Sequence, residues 1–387
     1  MKPSRLDILL YAHDGRGLGH ASRSIAIGMA LRRLYPELRV LLVTGCRQAG
    51  ELIDRAPLDW LKLPSYETRV EEGVSRGIDG RSGFPDRELA ALRARTLEDI
   101  VRLYRPRLLL ADHQPQGKHR ELLPALAASD DTIGVLGLRG VVGGVQQLQS
   151  DIATRCFARH YRALLWYGDS RVLGSDHLRL PQEQFGCRAV ECGYVSRLAE
   201  LAPWHHPADD LVPPLAGTIS LPWLGEDSHR FLAGLAAALG KMGPGHGRWR
   251  IFTDPDNRPL WQLFAALDHC SIEPPGPRYI DALLNSRMAV IYGGYNSLID
   301  VLATGRPAVV LVRPMQDEEQ RLHLELLCAR TGPALVPVAE EDISAGHLAA
   351  FLADQLQRPA RRDTAINLDG AARAARELAR LLKSRKS

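Results

Sequence analysis

The stretch 288–321, MAVIYGGYNSLIDVLATGRPAVVLVRPMQDEEQR, decides how the rest of the chain is read. Met288–Tyr292 is a short apolar run, β-branched at Val290 and Ile291, that stops at Gly293 and Gly294, which predicts a buried parallel strand entering a tight turn. Ser297 is expected to open a short helix, Leu298 to Thr304, closed by Gly305 with Pro307 just beyond. Ala308–Val312 then reads as a second buried strand ending at Arg313–Pro314. Strand, glycine turn and helix start make an anion site, because the first helical N–H groups lack intrahelical partners and carry the positive end of the helix dipole. Gly293 and Gly294 let a diphosphate approach the backbone, and Tyr295, Asn296 and Ser297 add side chains at the same rim. Glu319 and Gln320, after the next strand, offer acceptors and donors suited to sugar hydroxyls.

Working outward, the chain opens with a comparable unit. Leu6–Ala12 reads as a buried strand, followed by the loop His13-Asp14-Gly15-Arg16-Gly17-Leu18-Gly19-His20 and a helix through about Tyr35. Arg39–Thr44 is the next strand, and this rhythm begins a doubly wound α/β domain. The loop is not a dinucleotide fingerprint: His20 stands where G-x-G-x-x-G needs glycine, and no acid closes the second strand. Leu89–Tyr104 and Lys118–Ala127 read as helices, and Pro64–Arg87, polar and without a period, as a loop. The strand Arg107–Ala111 ends at Asp112-His113-Gln114-Pro115, and Thr132–Leu138 ends at Arg139; open α/β sheets bind ligands beyond such strand ends. Proline-rich residues 201–214 read as a linker, with His205–His206 an exposed hinge rather than a metal site. The expected boundaries are 1–200, 201–214 and 215–387, with the last helix, Ala371–Leu382, able to pack back on the first domain.

The composition belongs to an ordinary globular protein. The chain has 387 residues, 45% apolar and 24% charged, and its net charge of +4 is mild and argues only weakly for nucleic acid or acidic lipid, so no nucleic-acid partner is expected. No apolar run reaches membrane-spanning length, so no transmembrane segment is expected. The basic tail, Lys383, Arg385 and Lys386, leaves room for weak peripheral contact with a lipid surface. Six cysteines without a C-x-x-C pair suit reduced thiols and a cytoplasmic location.

The segment GGYNSLID followed by RPMQDEEQR resembles the donor-binding motif of GT-B glycosyltransferases of the MurG-like and UGT-like kind. The further stretches GLGHASR, ADHQPQGKHREL and ECGYVSR are similar to an uncharacterised bacterial group of predicted glycosyltransferases. The resemblance implies an α/β protein of GT-B architecture, two Rossmann-like doubly wound domains facing each other across a cleft. It implies that Gly294, Asn296 and Ser297 hold a diphosphate, with Gly293 and Tyr295 beside them and Arg313 a further candidate. It places Asp300 where a glutamate holds ribose hydroxyls, and Glu319 and Gln320 where the donor sugar is read. Asp300 has a second reading, since Ser297-Leu298-Ile299-Asp300 also fits a capping box. Two departures stand out: Tyr292 replaces a phosphate-binding histidine, and the loop 221–227 has one glycine and two acids.

The implied reaction is inverting, metal-independent transfer from a nucleotide-sugar, most simply UDP-linked, to a small-molecule or lipid-linked acceptor. No cofactor is expected beyond that co-substrate, and no D-x-D motif suggests a bound metal. His20 is the candidate general base, since imidazole titrates near neutrality; Asp112 is its candidate orienting acid. Gly17, Gly19, His113 and Arg139 fall on the acceptor side. A nucleotide-sugar hydrolase or epimerase of the same fold is the alternative, as is a non-catalytic binding relative.

Overall fold

The computed structural model describes residues 5–13, 18–71, 74–78, 82–128, 131–141, 150–201, 214–221, 228–253, 258–274, 276, 278–312, 319–339, 345–361 and 365–384. The chain divides into two compact units, Met1–Trp204 with Ile366–Ser387, and His205–Ala365. The first runs β1 (Ile8–Ala12), α1 (Gly19–Leu34), β2 (Val40–Thr44), α2 (Ala49–Ile53), β3 (Asp59–Lys62), β4 (Glu67–Glu71), β5 (Val74–Ile78) and α3 (Asp86–Tyr104). It continues with β6 (Leu108–Asp112), α4 (Leu123–Ala127), β7 (Ile133–Arg139), α5 (Asp151–His160), β8 (Tyr161–Tyr167), α6 (Ser170–Leu173), α7 (Ser175–Phe185), β9 (Ala189–Glu191) and α8 (Arg197–Leu201). The second holds β10 (Leu215–Leu221), α9 (Ser228–Met242), β11 (Trp249–Thr253), α10 (Arg258–Phe264), β12 (Cys270–Glu273) and α11 (Arg278–Leu284). After these come β13 (Ser286–Tyr292), α12 (Tyr295–Thr304), β14 (Ala308–Val312), α13 (Glu319–Thr331), β15 (Leu335–Ala339) and α14 (Ala345–Gln357). The closing helix α15 (Gly370–Ser384) belongs to the first unit.

Each unit is built on one parallel sheet. The first has the order β3-β2-β1-β6-β7-β8-β9, and the second β12-β11-β10-β13-β14-β15. Strands β1, β2 and β6 are buried at every residue, as expected of parallel strands covered on both faces. Their apolar runs therefore do not alternate. In the first sheet β1 pairs with β2 on one side and with β6 on the other, so the strand order reverses between β1 and β6. In the second it reverses between β10 and β13. Doubly wound sheets bind ligands outside the C-terminal strand ends at such reversals.

Helix α1 is buried from Ala21 through Leu31, with α8 and α15 packed on it. A helix covered on nearly all sides has little reason to be amphipathic, and this one is not. The face that α15 buries is made of Gly370, Ala371, Ala372, Ala374, Ala375 and Ala379 with Leu378 and Leu382; small residues let the two backbones approach. The segment before α15 is pinned by Asn367 N–H to Asp169 Oδ2 at 2.8 Å and Gly370 N–H to the Tyr194 carbonyl at 3.0 Å. In the second unit the core sits between the sheet and α9 and α14, around Trp249, Phe231, Leu235 and Leu352. Gly217 admits the Trp249 indole, since a Cβ there would lie 2.2 Å from Trp249 Cζ3.

Three local expectations need correction. Residues 64–87 are not wholly loop: β4 and β5 pair antiparallel within them. Residues 118–127 are not one helix, because His119 and Arg120 have positive φ, and only Leu123–Ala127 is α-helical. Helix α12 starts at Tyr295 with Gly294 as N-cap, not at Leu298 with Ser297 as N-cap, and has no side-chain cap. The capping-box reading of Ser297 and Asp300 therefore falls.

Candidate active site

The reversal point of the first sheet gathers side chains from three segments. His13 follows the end of β1, Asp112 ends β6 with His113 next, and His20 lies in the first turn of α1. His20 Nδ1 is 2.5 Å from Asp112 Oδ2. Asp112 is buried and must accept, so Nδ1 carries the proton and donates, leaving Nε2 as the ring's lone-pair nitrogen. Among the described residues Nε2 has no hydrogen-bond partner.

Arg23 was missed by sequence reasoning. One turn after His20, and 2% exposed, it donates from Nε to Asp112 Oδ1 at 3.2 Å and from Nη2 to Asp112 Oδ2 at 2.7 Å. Its Nη2 also lies 2.9 Å from His20 Nδ1. The only sequence signal was its i, i+3 spacing from His20, which puts both on one helix face. Arg23 neutralises much of the carboxylate that would otherwise make His20 more basic. Burial, then the charges of Arg23, Arg139 and Lys118, hold the His20 imidazole well below its ordinary value. The ring is neutral at physiological pH.

Two more imidazoles complete the cluster. The rings of His13 and His20 are 3.9 Å apart between centroids, and those of His20 and His113 5.6 Å. Burial is the main cause that pushes His13 and His113 well below the usual histidine range. His113 is held at φ +69°, a conformation that costs a non-glycine residue about 1–3 kcal/mol and persists where the surroundings impose it. Its N–H bonds the Gly137 carbonyl at 2.7 Å, which prolongs the β6–β7 pairing past Asp112. Gly19 is the first residue of α1 and Arg139 the last of β7, both partly buried at this end of the sheet.

Beneath the cluster lies a second polar network with no solvent access. Arg93 and Glu121 form an ion pair in which both side chains are fully buried, with Nε to Oε2 and Nη2 to Oε1 each 2.7 Å. Tyr11 OH donates to Glu121 Oε1 at 2.6 Å and Tyr66 OH to Oε2 at 2.9 Å. Every carboxylate oxygen is thus met twice, which makes burial of the pair tolerable. Lys118 Nζ lies 4.6 Å over the Tyr66 ring. Drawing Glu121 inward accounts for the left-handed His119 and Arg120 just before it, so the turn after His113 is fixed from below.

In the second unit, β13 runs into Gly293, Gly294 and α12. The first helical bond is Leu298 N–H to the Gly294 carbonyl at 3.1 Å, so Asn296 and Ser297 keep their N–H groups outside the helical ladder. No acidic residue stands in the first turn. Neither glycine has a positive φ, and a Cβ on Gly294 would meet nothing within 4 Å. The fold itself does not require glycine at Gly294; open space beside uncapped amides is what a close-lying anion needs. By contrast Gly305, at φ +68°, is needed to close the helix.

Asp300 is 6% exposed, in the second turn of α12. Glu319 and Gln320 open α13, the first buried and the second exposed. The Tyr295 ring stacks on His323 of α13 at 5.8 Å, which joins the first turn of one helix to the start of the other. His323, 3% exposed, was not singled out from sequence. Gly17, Arg313 and the 222–227 loop lie outside the described residues. Among the described residues no three His, Cys, Asp or Glu side chains form a metal-ligand group. No described helix is long and apolar enough to cross a membrane.

No protein-family model and no curated protein matches the chain. Solved structures do match over its whole length. UDP-GlcNAc 2-epimerase from Methanocaldococcus jannaschii is 10% identical at a TM-score of 0.64, covering 98% of this chain and 100% of that one. MurG from Acinetobacter baumannii is 12% identical at a TM-score of 0.51, covering 99% and 100%. The fold is GT-B. A third GT-B match, UDP-GlcNAc 2-epimerase from Neisseria meningitidis bound to UDP-GlcNAc, is 11% identical at a TM-score of 0.60, covering 97% and 100%. Both parallel Rossmann-like sheets of the GT-B architecture are present, with seven and six strands.

Proposed function

We propose that this protein is a nucleotide-sugar enzyme, and that it transfers the sugar to an acceptor with inversion and without a metal ion. The observation that carries the reading is the His20–Asp112 pair at the reversal point of the first sheet, 2.5 Å apart and leaving Nε2 uncommitted. His20 Nε2 takes the proton of the acceptor hydroxyl as its oxygen attacks the anomeric carbon. The bond from that carbon to the diphosphate oxygen breaks, and the diphosphate leaves with the electron pair. Asp112 keeps the imidazole in the Nδ1–H tautomer and stabilises the cation that forms.

In the second unit the amides of Asn296 and Ser297, at the open end of α12, are suited to the leaving diphosphate. Gly293 and Gly294 give it access, and Tyr295 flanks it. Asp300 is assigned to the ribose, and Glu319 and Gln320 to the sugar. Gly19, His113 and Arg139 fall to the acceptor. The match to the Neisseria epimerase, solved bound to UDP-GlcNAc, supports a UDP-linked donor here.

Epimerisation is the second reading, favoured by the higher TM-scores of the two epimerases than of MurG. In it the same histidine would move a proton on the sugar itself. Incubation with UDP-GlcNAc and other UDP-sugars separates the two: a transferase releases UDP in proportion to added acceptor, an epimerase yields an isomeric UDP-sugar without one. If no UDP-sugar is turned over and UDP does not bind, the reading fails.

A further inference from the structure

The imidazoles of the first unit hold more buried hydrogen-bonding capacity than the protein uses. His113 is 3% exposed, and neither of its ring nitrogens has a partner among the described residues; His13, 5% exposed, leaves Nδ1 unmet. A buried polar atom without a partner is costly, and His113 adds a left-handed backbone. Two costs at one residue, placed beyond a strand end and 5.6 Å from the His20 ring, point to a ligand that supplies the missing partner.

The charge around the cluster says what kind of ligand. Arg23 acts on all three imidazoles, Arg139 on His20 and His113, and Lys118 on His13 and His20, each lowering proton affinity. Among the described residues the one carboxylate that acts on them is Asp112, and Arg23 grips both of its oxygens. The first turn of α1 contributes no acid and no side-chain cap, so its amides add to the positive potential. A largely buried site with these cations at its edge favours an incoming anion.

Building on the proposed function, we infer that the compound docking beside His20 carries an anionic group, a phosphate or a carboxylate, received by His113 with Lys118 and Arg139. A neutral imidazole donates one N–H to it, and the cations supply the charge. His113 thereby becomes a residue that selects the acceptor.

The test uses the full chain with 15N-labelled histidine and follows the imidazole nitrogens by NMR. Inorganic phosphate is titrated in one arm and acetate in another, at ionic strength matched with sodium chloride. Saturable shifts of the His113 and His20 signals are expected with at least one anion, and none for His246 or His347. Arg139→Gln and His113→Asn should each weaken that binding about tenfold, with circular dichroism reporting whether each variant is folded. The arm with the tighter binding identifies the group. No saturable shift with either anion, or a shift unchanged in folded Arg139→Gln, overturns the inference. UDP binding measured by calorimetry on the same sample separates the two readings. UDP binding without an anion response removes only this inference, and an anion response without UDP binding leaves it standing while the proposed function falls.

Discussion

At its sheet reversal the first unit packs His13, His20, Arg23, Asp112 and His113 around one point, whereas the second offers a glycine turn and an uncapped helix. The contrast follows from what each end of a parallel sheet can do. Titratable groups in a buried cluster hold one another in defined protonation states, which is what the proposed proton transfer asks of the first unit. Backbone amides do not titrate and cost nothing to orient, so the second is equipped to hold a charge that arrives from outside. Doubly wound sheets share a topology without sharing chemistry, because the reversal point fixes only where the loops converge.

The sharpest way to break this division is Asp112→Asn. With Arg23 and His20 left in place, activity should fall about 10²–10⁴-fold while UDP affinity, measured by calorimetry, stays as in the wild type. Loss of UDP binding in that variant would show that the two ends do not divide the work. Next in size is Gly294→Val. It should weaken UDP binding about tenfold or more, equivalent to about 1.4 kcal/mol, with the melting temperature unmoved, since a side chain there meets open space. A drop in melting temperature with normal UDP affinity would make that turn structural.

The smallest expected effect is on stability against pH. His13, His20 and His113 have proton affinities in the folded state well below the ordinary value, with burial the main cause. Below about pH 6.5 the unfolded chain therefore binds more protons than the folded one, and stability falls as pH falls. Each such histidine contributes up to about 1.4 kcal/mol per pH unit in that window. His13→Asn should flatten the slope of unfolding free energy against pH by about that amount in urea titrations between pH 5 and about 6.5.

The periodicity of short apolar runs made the parallel sheets legible, as did the glycine turn ahead of α12. Less legible was everything that depends on a partner distant in sequence. Arg23 stands next to His20 on the helix, but its purpose exists only once β6 delivers Asp112, 89 positions later. The same holds for residues 118–127. Their composition favours helix, yet Glu121 is drawn into the pocket of Arg93, Tyr11 and Tyr66, and the two residues before it take left-handed backbone to permit that. At Ser297 the local capping pattern lost to the turn itself, where the Gly294 carbonyl starts the helix three residues earlier than the pattern suggested.

The packing of α15 on α1 has a consequence for biosynthesis. On the ribosome, the helix that carries His20 and Arg23 emerges before residues 205–365, yet the alanine-rich face that covers it emerges only after them. The first unit is thus completed only after residues 205–365 have been made, and through that interval its nearly all-round buried helix is left with an uncovered flank.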